Sequence, residues 1–130
     1  MIKYKFLEHK ADAKFQAYGK TLKEQFQNAL EAMTFIITDN KIKPKITKKI
    51  EIQGTDKKNL LLNFLEEILF LIDTEQFIPA KADVKIKGLN LTATLKGDNI
   101  RNYETKSDIK AITYNQMEIT KNHVQVVCDI

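Results

Sequence analysis

Apolar residues alternate with polar ones at Ile2, Tyr4 and Phe6, and again at Phe15 and Ala17, predicting two short strands separated by the segment EHKAD. The pattern then changes period. Leu22, Phe26, Ala29, Leu30, Met33 and Ile37 recur at three- and four-residue spacing, giving a helix with one apolar face. TLKE at Thr21–Glu24 reads as its capping box, and the helix ends near TDNKIKP, before Pro44. Alternation returns at Ile46, Ile50 and Ile52 and stops at Gly54, after which Thr55 or Asp56 can cap a second helix. That helix, NLLLNFLEEILFLIDTE, is apolar around most of its circumference. It is either central to the core or offers a face to a partner, and a small α+β domain needs one helix to cover its sheet, which favours the core. ADVKIKGLNLTATLKGD predicts a hairpin turning at Gly88, and IKAITYNQMEI with HVQVVCDI predicts another turning at TKN. GDNIRNYETKSD, which contains Asp98, reads as a polar loop between them. The order ββαβαββββ lacks regular βαβ alternation. It specifies a single α+β domain over residues 1–130, with a mixed or antiparallel β-sheet covered by two main helices. The sequence contains no repeat, low-complexity tract or linker.

Composition narrows the class. A chain of 130 residues can bury a core without disulfides or a structural metal. Its one cysteine, Cys128, lies in the apolar run VQVVCDI and reads as a buried thiol, which with the absence of a leader-like N-terminus predicts a soluble protein of the reducing cytoplasm. The longest greasy run is too short and too acidic to cross a bilayer. The net charge of +4 raises the question of nucleic acid, yet of 21 basic residues only Arg101 is arginine, so bidentate phosphate or guanine readout is scarcely available. Lys3, Lys5, Lys85 and Lys87 alternate with apolar residues, as solvated strand faces do. The densest basic stretch is Lys41–Lys49.

No enzyme signature is visible. His9 and His123, the two histidines, lie in no nucleophile or metalloprotease motif; the four glycines are too scattered for a phosphate loop, and one cysteine makes no CxxC. The remaining chemistry is acidic. Asp12 follows the first turn, and Asp129 precedes Ile130, whose main-chain carboxylate adds a further anionic oxygen. Should the last strand pass beside the first, these three groups would repel one another unless a divalent cation neutralised them, and oxygen-only ligation suits calcium or magnesium over zinc. The plainer alternative is an aspartate serving as a turn residue and a frayed chain end.

The strings FLEHKAD with AYGKTLKEQFQNAL, then NLLLNFLEEILFLIDTE, KAITY and the closing CDI resemble, in order and spacing, the archease family of small accessory proteins to the RNA-splicing ligase. The resemblance covers essentially the whole chain. It implies a metal site, taken to be calcium or another divalent cation such as magnesium, held by Asp12, Asp129 and Ile130. Glu8 and His9 would then be supporting or partner-facing groups, or else solvated turn residues. The implied partner is the RNA-splicing ligase, whose guanylylation or turnover the family promotes in joining 2′,3′-cyclic phosphate or 3′-phosphate ends to 5′-hydroxyl ends of RNA. This chain would itself be non-catalytic, would bind no nucleotide and would touch RNA only through the ligase. Three departures stand out: Lys10 replaces the threonine of the family's EHTAD turn, Asn115 follows KAITY where histidine is common, and Tyr103 lies near the place of a second histidine. The competing reading is a stand-alone RNA-binding or chaperone-like module using Lys41–Lys49.

Overall fold

The computed structural model describes residues 2–8 and 12–130. Its elements run β1 (Tyr4–Leu7), β2 (Asp12–Tyr18), α1 (Leu22–Ile37), β3 (Ile46–Gln53), α2 (Lys57–Glu75), β4 (Phe77–Lys87), β5 (Asn90–Asn99), a 3-10 turn (Ile100–Asn102), β6 (Ala111–Ile119) and β7 (His123–Asp129). This is the predicted order. The strands divide between a four-stranded sheet, β1-β2-β7-β6, and a three-stranded sheet, β3-β5-β4, with every pairing antiparallel. The sequence pattern sets which residues alternate but not which strands share a ladder, so the second sheet had no local signal.

Local chemistry sets the helix ends. The Thr21 hydroxyl accepts from Glu24 N at 3.3 Å, and Glu24 Oε2 accepts from Lys20 N at 3.1 Å, one residue before the position a strict capping box uses. At α2 the cap is Asp56, accepting from Asn59 N at 2.8 Å. Such a cap is worth about 1 kcal/mol. The helix stops where Gln76 takes the left-handed conformation at φ 55° and its N–H returns to Leu71 O.

Both helices bury their apolar faces between the sheets. Phe26 of α1 stacks on Phe64 of α2, ring centres 5.8 Å apart, and both are fully buried with Phe15, Phe77, Leu30 and Met33. Burying each such side chain contributes roughly 1.5–3 kcal/mol. α1 packs on β4 and β2, α2 on β6, β4 and β3. Thus α2 is a core helix, as expected, with Phe70 left 54% exposed on its outer side. Among the described residues no helix is long and apolar enough to cross a membrane.

The polar loop of the sequence reading is more ordered than its composition suggests. β5 continues through it to Asn99, and Asp98 is buried rather than loop-exposed. Its carboxylate accepts from the Tyr103 hydroxyl at 2.7 Å, from Asn99 N at 2.8 Å and from Asn102 Nδ2 at 3.3 Å; the Tyr103 hydroxyl in turn accepts from Lys43 N at 2.8 Å. The Tyr103 hydrogen bond holds the Asp98 carboxyl below the usual carboxylate range.

Candidate functional site

Inward and outward positions along β2 and β7 build the site. Ala13, Phe15 and Ala17 face the core opposite Cys128, Val126 and Val124, so Asp12, Lys14, Gln16 and Tyr18 lie on the outer face opposite Asp129, Val127, Gln125 and His123. Asp12 and Asp129 are therefore direct cross-strand partners. Such partners have Cα atoms about 4.5–5.5 Å apart and side chains on one face, and like charges so placed are destabilising. Asp129 also pairs with Ala111 of β6, and its carbonyl accepts from Lys110 N at 2.7 Å, which fixes the end of β7 from both sides. Asp12 is half-buried, whereas Asp129 and Ile130 are exposed. Beneath them Cys128 is buried, and burial, with the Asp12 carboxylate adding to it, pushes its thiol pKa up to about 12.

Asp12 follows the first turn, as expected, but as the first residue of β2 rather than as part of the EHKAD connection, and the last strand runs beside β2 rather than β1. Glu8 is exposed just after β1. His9 lies outside the described residues. Among the described residues no three His, Cys, Asp or Glu side chains gather in one place that could hold a metal ion, and the third group expected from the sequence, at Ile130, belongs to the main chain.

Behind the acidic pair runs a polar lattice that sequence reasoning missed. Lys14 Nζ donates to Gln116 Oε1 at 2.7 Å, Gln125 Nε2 to Gln116 O at 2.8 Å, Gln16 Nε2 to Gln125 Oε1 at 3.0 Å, and the Tyr18 hydroxyl to Gln16 Oε1 at 2.9 Å. At its far end His123 Nε2 lies 3.7 Å from Glu118 Oε1. Gln116 sits at φ 57° in an irregular stretch of β6 between Thr113 and Glu118, which lets it reach over the sheet. The available signal was Gln125, a glutamine inside the otherwise apolar run HVQVVC.

The Lys41–Lys49 stretch does not form one basic face. Lys41, Lys43 and Lys45 lie in a loop before β3; Lys48 and Lys49 are successive strand residues pointing to opposite faces, and Lys48 pairs with Glu75 at 2.5 Å.

Comparison with known proteins places this geometry in a family. Residues 4–130 match the model of the Archease protein family (MTH1598/TM1083). Protein archease of Methanosarcina barkeri is 38% identical over 139 aligned positions, covering 98% of this chain and 95% of the relative. That of Methanothermobacter thermautotrophicus is 38% identical, covering 89% and 87% respectively. The solution structure of Methanobacterium thermoautotrophicum protein 1598 superposes with a TM-score of 0.80 at 31% identity, covering 98% of this chain and 99% of that one. A family match over nearly the whole sequence, joined to this shared fold, means that the chain belongs to the archease family.

Proposed function

We propose that this protein is a non-catalytic activator of an RNA-splicing ligase and that Asp12, Asp129 and the Ile130 carboxylate hold the divalent cation on which activation depends. Family membership supports an accessory role linked to RNA ligation and tRNA splicing. The finer reading is that the protein promotes ligase guanylylation and repeated turnover in the joining of 2′,3′-cyclic phosphate or 3′-phosphate ends to 5′-hydroxyl ends. The observation that supports a cation site is the direct pairing of Asp12 with Asp129 at the rim of the four-stranded sheet.

Two opposed carboxylates at a sheet end cost stability unless their charge is offset, and hard anionic oxygens fit calcium or another divalent cation such as magnesium. When bound, the ion supplies a fixed positive charge on an exposed edge, within reach of a partner's anionic groups. The chain's own part is positional. Ala13–Cys128 pairing below and the Lys110 N–H on Asp129 O fix the backbone of the pair, while Lys14 is held back on Gln116 in the next outward row.

The test is multiple-turnover ligation by the RNA-splicing ligase with and without this protein. Asp12→Asn and Asp129→Asn each lower stimulation at least tenfold, and neither variant is stabilised against heat by calcium, as the parent is through mass action. Asp73→Asn, an exposed α2 carboxylate, keeps full stimulation. Full stimulation by both site variants rejects the proposed metal site.

A further inference from the structure

Among the described residues the outer strands of the two sheets are β1 and β6, and β3 and β4. Of these, β6, β4 and β3 carry irregularities or side-chain bonds. β6 is broken by the irregular stretch between Thr113 and Glu118, and the Tyr114 hydroxyl there accepts from Asn59 of α2. β4 carries Pro79 and a register shift, and its Val84 N–H donates to Gln27 Oε1. β3 packs against α2, with Lys48 tied to Glu75 and Gln53 O taken by Asn63. At β1, among the described residues, no side chain bonds to the main chain of Tyr4–Leu7.

Its register tells which groups are open. Tyr18 N donates to Lys3 O, so by alternation Lys5 and Leu7 bond to β2 while the main-chain groups of Tyr4 and Phe6 point away from the sheet. The side chains of the same two residues continue the core layer, since they pair with the buried Ala17 and Phe15. Among the described residues no strand lies beyond them: Phe35 of α1 is 6.1 Å from Tyr4 and 5.7 Å from Phe6 between ring centres, Phe15 is 6.0 Å from Phe6, and Lys106 Nζ lies 4.0 Å from the centre of the Phe35 ring. Phe6 stays 37% exposed, Phe35 39% and Ile2 69%. A groove of about 610 Å³ runs alongside, lined by Tyr4, Phe35, Ile42 and Ala80 among others. The core layer is thus one strand short at the edge that leads through Glu8 towards Asp12.

We propose that an extended segment of the partner ligase adds to β1 as a fifth strand, with apolar side chains over Phe6 and Phe35 and an acidic side chain in the alternate row beside exposed Lys5. The strand edge supplies main-chain hydrogen bonds, the aromatic strip selects apolar residues at every second position, and Lys5 selects the charge between them. This rests on the reading of the chain as an accessory of an RNA ligase, and gives that partner a docking edge on the sheet that carries the acidic pair.

Amide hydrogen exchange on the full-length chain, alone and with the RNA-splicing ligase, tests it. Strand addition slows the Tyr4 and Phe6 amides on complex formation and leaves Lys5 and Leu7, already bonded to β2, nearly unchanged. Phe6→Glu and Phe35→Glu weaken ligase binding at least tenfold, whereas Phe70→Glu on the far side does not. A complex that forms with the Tyr4 and Phe6 amides unprotected overturns the inference and leaves the accessory reading standing. Protection of the same amides by RNA alone, or by self-association of the free chain, also overturns it. Absence of any complex with the ligase rejects the accessory reading itself.

Discussion

The Asp98 carboxylate ties three segments together: the end of β5, the 3-10 turn through Asn102 and Tyr103, and, by way of the Tyr103 hydroxyl, the backbone at Lys43. Asp98→Ala leaves the Tyr103 hydroxyl and the Asn99 N–H without their acceptor, and the unpaired buried donors are the costly part of such a change. Thermal melting therefore shows a drop of several degrees, with Asp98→Asn intermediate because it keeps one acceptor oxygen. The pH dependence has a definite sign. A carboxylate whose folded pKa is depressed contributes fully above its ordinary value of 3.8, and the contribution is lost as pH falls from there through the lower folded value. The stability gap between parent and Asp98→Asn narrows over that acid window. Asp12 and Asp129 could be singled out from residue type and position alone. Asp98 could not, because the sequence gives an aspartate in a polar run and only packing gives its burial.

At the scale of elements, two glycines look alike in sequence and are required for different reasons. Gly88 makes the β4–β5 turn at φ 64° with open space around it, so Gly88→Ala costs only backbone strain, about 1–2 kcal/mol, and Gly88→Asn costs less. Gly97 lies against the Pro79–Lys81 irregularity of β4, where an added Cβ would come within 2.7 Å of Pro79 Cα and closer still to Ile78 O. Gly97→Ala must push backbone from backbone and costs about 3 kcal/mol or more, at the upper end of overpacking. Denaturant unfolding of the two variants checks the ranking. Gly88 was legible as a turn from the alternation on either side of it. The role of Gly97 was not, because the close approach involves a strand nearly twenty positions away.

Over the whole molecule the charge is diffuse: +4 in 130 residues, one arginine, and a basic stretch split between a loop and the two faces of β3. Binding to single-stranded RNA is accordingly weak, with no more than about three phosphate contacts and a slope of log affinity against log salt no steeper than about −2. A salt titration of RNA binding measures this, and a tight, sequence-selective complex at physiological salt would favour the stand-alone RNA-binding reading instead. Order and identity of the elements were legible because the 2.0 and 3.6 periods are local properties of the chain. So were the helix start at Thr21, the second start to within Thr55 or Asp56, and the buried state of Cys128 in its apolar run. The split into two sheets, the pairing of β7 with β2, the lattice under Gln116 and the open β1 edge depend on contacts between distant segments. The sequence by itself determined which faces of the helices and strands are apolar, and it placed two aspartates near the ends of two strands. Only the tertiary structure decided that those strands are neighbours in register, because strand partners are chosen by how helices and sheets together bury the apolar faces, an energy summed over the whole core.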